Sequence, residues 1–501
     1  MKTRILLSAL FLVAWIPSAH AIPEGPAYPS LQWLLREQSN FRKTTQAPLE
    51  QTLNPAFLLR EATQSLANEE DWLARAIADP SWLDLRSGNT QATPVCASWA
   101  ASCVGDPFRY PEAEGLDGAP FYEAEAEVIP ITFYDEGCAR LAGHIWAPRD
   151  DGSGRLRPGI VLETGSIQVA QTGYWWFAQA LVRAGYIVMT FDARGHGRSD
   201  FQTPGGELGS NLHPIAFASN LVNAIDFFRS DAEVPYPHNE VCDGFYPTEV
   251  TTFNPLTDRL DLSRLGIAGH SLGANSVMKV QAYGAPGMEP WPGLLDSSNP
   301  VDVVVAFDSS TNPHIGGLGT ISDLWVDEVV LALIAFPPTL VPRVPLMSQQ
   351  SEYGFFPAPY PLPPNPDSHK VDYRAWKSAR KPVFQFTIQG ATHFEWSQLP
   401  DIPATSWCPT VRDGRCVGGW GKPMAEYYMV AWFDRWLKRR GEAGYCDADA
   451  RLLADSSWRS RYSFYFRSAR SFPDRNNSPH SCEDIRAGCQ DTGLSPGLAC
   501  Q

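Results

Sequence analysis

From Val128 onward, short apolar runs alternate with stretches of helical periodicity. Val128–Tyr134 and Arg140–Trp146 read as two strands joined through Asp135-Glu136-Gly137, which predicts a hairpin. Gly159–Leu162, Tyr186–Phe191, Arg264–Ala268, Val301–Phe307, Val344–Met347 and Val383–Ile388 continue the strand series. Between them, Tyr174–Ala184 reads as a helix ended by Gly185, and Pro214–Arg229 as an amphipathic helix with proline in its first turn. Ala425–Arg440 closes the pattern as a helix. Such alternation predicts an α/β fold with a mostly parallel sheet and helices on both faces.

The flanks differ. Residues 22–127 are irregular, with helix-like periodicity at Pro55–Ala78 and no chemical motif, so they form a partly helical N-terminal extension. Residues 441–501 hold four of the ten cysteines among Arg, Ser, Asp and Pro, and read as a tail stapled by disulfides rather than packed in a core. The catalytic domain is expected over 128–440. The proline-rich stretches at 337–345 and 357–366 read as loops over one rim of the sheet, and no internal repeat is present.

Residues 1–21 have the pattern of a cleaved signal peptide: Lys2 and Arg4, the apolar run Ile5–Ile16, then Ala19-His20-Ala21. The run is too short to span a bilayer, so the expectation is a secreted or periplasmic protein without a membrane span. Cysteines numbering ten, all after residue 21, fit disulfides in an oxidising compartment better than zinc, because no close pair has the C-x2-C spacing. Cys96 with Cys103 and Cys408 with Cys416 would close natural short loops, although spacing leaves the connectivity open.

With 44% hydrophobic and 19% charged residues, the chain has ample material for a core. Its net charge is −15, and −17 once Lys2 and Arg4 are removed. That balance argues against nucleic acid, which demands clustered Lys and Arg.

One motif carries chemistry. Gly269-His270-Ser271-Leu272-Gly273 is a G-x-S-x-G set between the strand at 264–268 and a helical run, the context of a nucleophile elbow. A turn that presents a serine hydroxyl brings backbone so close that small residues are needed on both sides. The helix start adds free N–H groups for a developing oxyanion. Ser271 is therefore the expected nucleophile. A base should follow the last strand, and His393 does, through Gln389-Gly390-Ala391-Thr392. His196 is its rival, in an earlier loop; His270 flanks the serine as a packing or capping group.

Two carboxylates compete for the third place. Asp308 ends the apolar run Val303–Phe307, and Glu352 follows Val344–Met347; both keep the order serine, acid, histidine. Asp308 is preferred and Glu352 is the alternative. The oxyanion donors are expected to be the N–H groups of Leu272 and of Ser166, the latter in the loop Glu163-Thr164-Gly165-Ser166-Ile167. The glycine-rich stretch Asp192–Ser199 matches no nucleotide fingerprint and reads as structural, with Asp192 and Arg194 tying the loop in place.

On these residues the chain resembles the α/β-hydrolase superfamily from about Gly159 to Arg440. More narrowly, it is similar to the secreted lipase-like branch that includes platelet-activating-factor acetylhydrolases and cutinase-like polyester hydrolases. Thr164-Gly165-Ser166, Trp175-Trp176, Ala184–Val188, the elbow, Gly390–Phe394 and Val430–Phe433 carry the likeness. It implies Ser271 and His393 as nucleophile and base and leaves the acid open: Asp308 matches the acetylhydrolase arrangement, and an acid after the later strand matches polyester hydrolases. The chain departs from both in its extension, its tail and Ala274-Asn275 after the elbow.

The expected activity is hydrolysis of carboxylic esters (small-molecule, lipid or polyester) with no metal or organic cofactor. A peptidase or amidase on the same fold, or a binding protein that keeps the fold without turnover, are the alternatives. A carboxylate nucleophile, as in epoxide hydrolases, is disfavoured by Ser271. Residues 318–342, with Leu324, Trp325, Val329, Val330, Leu333 and Ile334, read either as a lid over an acyl pocket or as a buried helix.

Overall fold

Val303-Val304-Val305-Ala306-Phe307 has no polar side chain, and every one of its residues is buried. A strand of that kind needs a neighbour on each side and a helix layer on each face. The computed structural model supplies both. It describes residues 28–53, 55, 59, 73–74, 76–83, 121–165, 170–209, 215–309, 317, 339–355, 358–397, 411–412, 415–416 and 420–489.

The strands are β1 (Ala126–Tyr134), β2 (Arg140–Pro148), β3 (Arg157–Glu163), β4 (Ile187–Phe191), β5 (Leu260–His270), β6 (Val303–Phe307), β7 (Leu346–Ser351) and β8 (Val383–Ile388). A two-stranded ribbon follows, β9 (Val411–Arg412) with β10 (Arg415–Cys416), and then β11 (Ala469–Pro473) and β12 (Pro479–Cys482). Apart from the ribbon, they form one ten-stranded sheet in the order β1-β2-β4-β3-β5-β6-β7-β8-β11-β12. The run from β4 to β8 is parallel. Both margins are antiparallel: β1 pairs with β2 along nine residues as the expected hairpin, β2 pairs with β4, and β11 joins β8 to β12.

The α-helices of five or more residues are α1 (Leu31–Thr52), α2 (Trp175–Arg183), α3 (Ile215–Arg229), α4 (Pro237–Val241), α5 (Leu272–Ala282), α6 (Val371–Ser378), α7 (Gly421–Leu437) and α8 (Ala448–Leu453) among the described residues. Phe217, Leu221, Ala224 and Phe228 recur at helical spacing along α3 and pack with Val277 and Met278 of α5 and Trp376 of α6 in one core. Phe177 and Leu181 of α2 and Tyr428, Trp432 and Phe433 of α7 build a second core with Trp146 and Phe307. Helices thus cover the sheet on both faces. Among the described residues, no helix is long and apolar enough to cross a membrane.

The flanking segments differ from their expected character. Residues 441–489 are not merely stapled: Leu452, Leu453, Tyr462, Phe472 and Ile485 are buried in the core of α2 and α7, and β11 and β12 extend the main sheet. β11 reaches the sheet by pairing along the edge of β8. A disulfide joins Cys482 to Cys489 inside this segment, and Cys446 is also disulfide-bonded. Cys138, in the β1–β2 turn, is bonded to Cys242 just after α4, a pairing that spacing does not suggest. Cys96, Cys103 and Cys408 lie outside the described residues, as do residues 1–27 and 318–338 of the expected leader and lid region.

The N-terminal segment is bound to the sheet at Arg140. Its guanidinium lies between the rings of Trp82 and Tyr246, at 3.6 and 3.9 Å from their centroids. Arg140 also donates to both carboxylate oxygens of Asp200, at 2.9 and 3.0 Å, and forms an ion pair with Asp79 at 3.3 Å.

Candidate active site

The elbow between β5 and α5 is as tight as its glycines imply. Ser271 has φ 57° and ψ −119°, a left-handed conformation that side chains rarely adopt. Its N–H donates to the Phe307 carbonyl at 3.0 Å, and its carbonyl accepts from Asn275 N–H at 3.1 Å. A Cβ on Gly269 would sit 2.2 Å from the Gly273 carbonyl oxygen, and one on Gly273 would sit 2.2 Å from that of Thr164. Neither site admits a side chain.

Asp308 follows β6 at φ 47°, and its N–H donates to the Gln349 carbonyl at 2.7 Å. Its carboxylate accepts from Ser351 N–H at 2.7 Å and Ser351 Oγ at 2.8 Å. Oδ2 also meets His393 Nδ1 at 2.6 Å, and on the far side of the ring His393 Nε2 lies 2.8 Å from Ser271 Oγ. A carboxylate only accepts, so Nδ1 carries the proton and Nε2 faces the serine as an acceptor. Burial would raise the Asp308 carboxyl, but the hydrogen bond from His393, the charge of that imidazole and the two Ser351 donors outweigh it, bringing it down to about 2. Asp308 is therefore ionised at neutral pH.

His393 begins a short helical turn capped by Thr392, whose side chain and that of Glu395 form a capping box. Its N–H donates to the Gly354 carbonyl at 2.6 Å, and the Phe355 ring lies 4.3 Å from the imidazole. Glu352 is placed otherwise. Its Oε2 accepts from Gly390 N–H at 2.7 Å and its Oε1 from Ser463 Oγ at 2.7 Å and Phe464 N–H at 3.1 Å. It braces the loop that carries the histidine, and Asp308 is the carboxylate on Nδ1.

His270 and Tyr174 complete a second line of contacts. Gly165 N–H donates to Tyr174 Oη at 3.1 Å, Tyr174 Oη meets His270 Nδ1 at 2.8 Å, and His270 Nε2 meets the His393 carbonyl at 2.8 Å. A carbonyl cannot donate, so the His270 proton is on Nε2 and Tyr174 donates to Nδ1. Burial, together with the neighbouring His393, lowers His270 to about 3, which keeps it neutral. The chain thus links the loops after β3, β5 and β8. The sequence singles out His270 only as a neighbour of the serine, and Tyr174 bears no signal of its own.

Leu272, directly after Ser271, is the first residue of α5, so its N–H has no partner within the helix. Ser166, the other expected donor, lies outside the described residues. Just before it, Glu163 is fully buried, and burial outweighs the backbone of Thr164 and pushes its carboxyl well up. The Asp192–Ser199 loop is held by its own side chains: Asp192 accepts from Gln171 N–H at 2.7 Å and Arg198 N–H at 3.0 Å, and Arg194 pairs with Asp135 at 2.7 Å. His196 packs edge-on against Phe217 in that loop.

No protein-family model matches the chain, and no curated protein matches its sequence. Among solved structures, an acylaminoacyl peptidase of Pyrococcus horikoshii aligns with TM-score 0.40 and 14% identity over 68% of this chain and 46% of that one, just under half its length. An esterase of Pyrobaculum calidifontis aligns with TM-score 0.37 and 14% identity over 61% of this chain and 84% of that one. An esterase of Pyrococcus furiosus does so with TM-score 0.33 and 14% identity over 55% and 87%. The strand order, with a nucleophile elbow after β5 and a histidine loop after β8, is that of the α/β-hydrolase fold.

Proposed function

We propose that the protein is an exported serine hydrolase of carboxylic esters. The observation that carries this is the unbroken line Asp308 Oδ2, His393 Nδ1, His393 Nε2, Ser271 Oγ, with separations of 2.6 and 2.8 Å at its two hydrogen bonds. In this reading Ser271 Oγ attacks the ester carbonyl carbon while His393 Nε2 takes its proton. Asp308 stabilises the imidazolium that results. The tetrahedral oxyanion sits against the N–H of Leu272, with Ser166 as the second donor. His393 then returns the proton to the leaving alcohol. Water, deprotonated by the same imidazole, releases the acid and frees the serine. No metal or cofactor enters these steps.

Export is supported by the leader pattern at 1–21 and by the disulfides Cys138–Cys242 and Cys482–Cys489, which persist in oxidising compartments. A fluorophosphonate followed by peptide mapping tests the nucleophile. Labelling confined to Ser271 is expected, and labelling elsewhere or none overturns the reading. Parallel turnover of p-nitrophenyl esters and aminoacyl anilides tests the substrate class, with esters expected to be cleaved faster.

A further inference from the structure

The N-terminal segment has no chemical motif, yet helix α1 presses three polar side chains against the loop after β7. Glu37, 2% exposed, accepts from Tyr353 Oη at 2.8 Å through Oε1 and from Tyr360 N–H at 2.9 Å through Oε2. Asn40 Nδ2 donates to Tyr353 Oη at 2.8 Å. Arg36 lies 2.7 Å from Glu37 and 3.9 Å from Glu352, with its guanidinium over the rings of Phe464 and Tyr465. Tyr360 Oη in turn donates to the Glu352 carbonyl at 2.6 Å.

The other side of the same loop grips the histidine. Gly390 N–H ends on the Glu352 carboxylate at 2.7 Å, and the N–H groups of Glu352 and Tyr353 both end on the Ala391 carbonyl, at 3.1 and 3.0 Å. His393 N–H ends on the Gly354 carbonyl at 2.6 Å. Residues 352–354 therefore hold both ends of the segment 390–393. Gly390, at φ 74°, is the turn that opens this segment, and two residues separate it from His393.

Charge decides where the loop rests. Glu352 is fully buried, and a buried carboxylate keeps its place only while a cation and donors compensate it. Arg486 also faces it, but its Nη1 is taken by the carbonyls of Arg459 and Tyr462. Arg36 bridges two acids at once, which a guanidinium fork does and an ammonium does less well. Without α1, Glu352 would lose the guanidinium 3.9 Å away, and Gly390, whose N–H ends on its Oε2, would lose a fixed anchor.

We propose that α1 is an intramolecular clamp on the histidine loop, and that Arg36, Glu37 and Glu352 are positioning residues that set His393 against Ser271. This rests on the reading of Ser271 and His393 as nucleophile and base. The clamp acts through distance: an imidazole displaced by about 1 Å costs on the order of a hundredfold in rate without loss of substrate binding.

The experiment uses the full chain and its Glu37→Gln, Tyr353→Phe, Arg36→Lys and Arg36→Met variants. The readouts are kcat and KM on a p-nitrophenyl ester, the rate of fluorophosphonate labelling at Ser271, and Tm. Expected are kcat and labelling rates lowered together by roughly tenfold to a hundredfold in Glu37→Gln, Tyr353→Phe and Arg36→Met, with KM within about twofold. Arg36→Lys should recover part of the loss. Variants with wild-type kcat, or with activity lost only in proportion to folded protein, overturn the clamp. Tyr353→Phe removes one oxygen and no packing, so it decides the matter should a charge variant fail to fold. An unlabelled Ser271 in the unaltered chain would instead overturn the underlying reading.

Discussion

Ser351, the last residue of β7, holds Asp308 with two donors, its own N–H at 2.7 Å and its hydroxyl at 2.8 Å. Asp308 stands at the end of the neighbouring strand, so the parallel pairing of β6 with β7 is what brings the two together. A carboxylate with three donors has one orientation, and that orientation aims Oδ2 at His393.

Asp308→Asn keeps the shape but offers an amide that cannot stabilise an imidazolium. Its kcat on an ester should fall by about 10⁴-fold with KM little changed. Ser351→Ala removes one donor and keeps the other, and should cost about tenfold. Steady-state kinetics check both; an Asp308→Asn variant that kept more than about a tenth of the activity would remove Asp308 from the reaction.

Ser271→Ala deletes the nucleophile and should lower kcat by about 10⁵-fold or more, with Tm unchanged within a few degrees. Calorimetry beside the assay separates this from misfolding. Glu352→Gln acts through the loop and not through the imidazole charge, so its loss should be smaller than that of Asp308→Asn.

His270 is held at about 3, below its ordinary value of 6.5. Between those two pH values the unfolded chain binds a proton that the folded chain refuses, so stability falls as pH drops from 6.5 toward 3. The full effect is on the order of 5 kcal/mol. Asp308, lowered to about 2, adds its own loss only below about pH 4. Urea midpoints at about pH 8, 6 and 4 should decline in the unaltered protein and decline less in His270→Gln.

The bond between Cys138 and Cys242 closes a loop with a sequence separation of 104 residues. Chain entropy puts its contribution at roughly 4 to 5 kcal/mol. A Cys138→Ser, Cys242→Ser double variant should melt several degrees lower while keeping kcat, since neither cysteine touches the elbow or the histidine loop. Equal Tm values would show that the loop is already ordered in the unfolded chain.

Gly273→Ala would place a methyl 2.2 Å from the Thr164 carbonyl oxygen. The elbow has no flexible neighbour to yield, so activity should be lost along with Ser271 labelling. Normal labelling would mean that the β3 loop shifts freely.

The β3–β8 part of the fold was legible because its signals are local. Val303–Phe307 and Val383–Ile388 are apolar runs that only a doubly covered strand explains, and Gly269–Gly273 sits directly between strand and helix. The choice between Asp308 and Glu352 was not local: it depends on how two loops descend from adjacent strands. The contact of Glu37 with Tyr353 joins residues 316 apart, and no periodicity announces it. Ala469–Pro473 reads as irregular because Arg470 looks out of place in a strand, until its buried pairing with Asp455 at 2.9 Å is seen.

That strand has a consequence for any shortened form of the chain. β8 hydrogen-bonds β11 through Val383, Phe384 and Gln385, so β8 is an interior strand only while residues beyond 440 are attached. A chain cut there would bare a row of unpaired amides flanked by Phe384 and Phe386, which is a template for strands of other molecules. Aggregation, rather than a smaller soluble enzyme, is the expected fate of such a fragment.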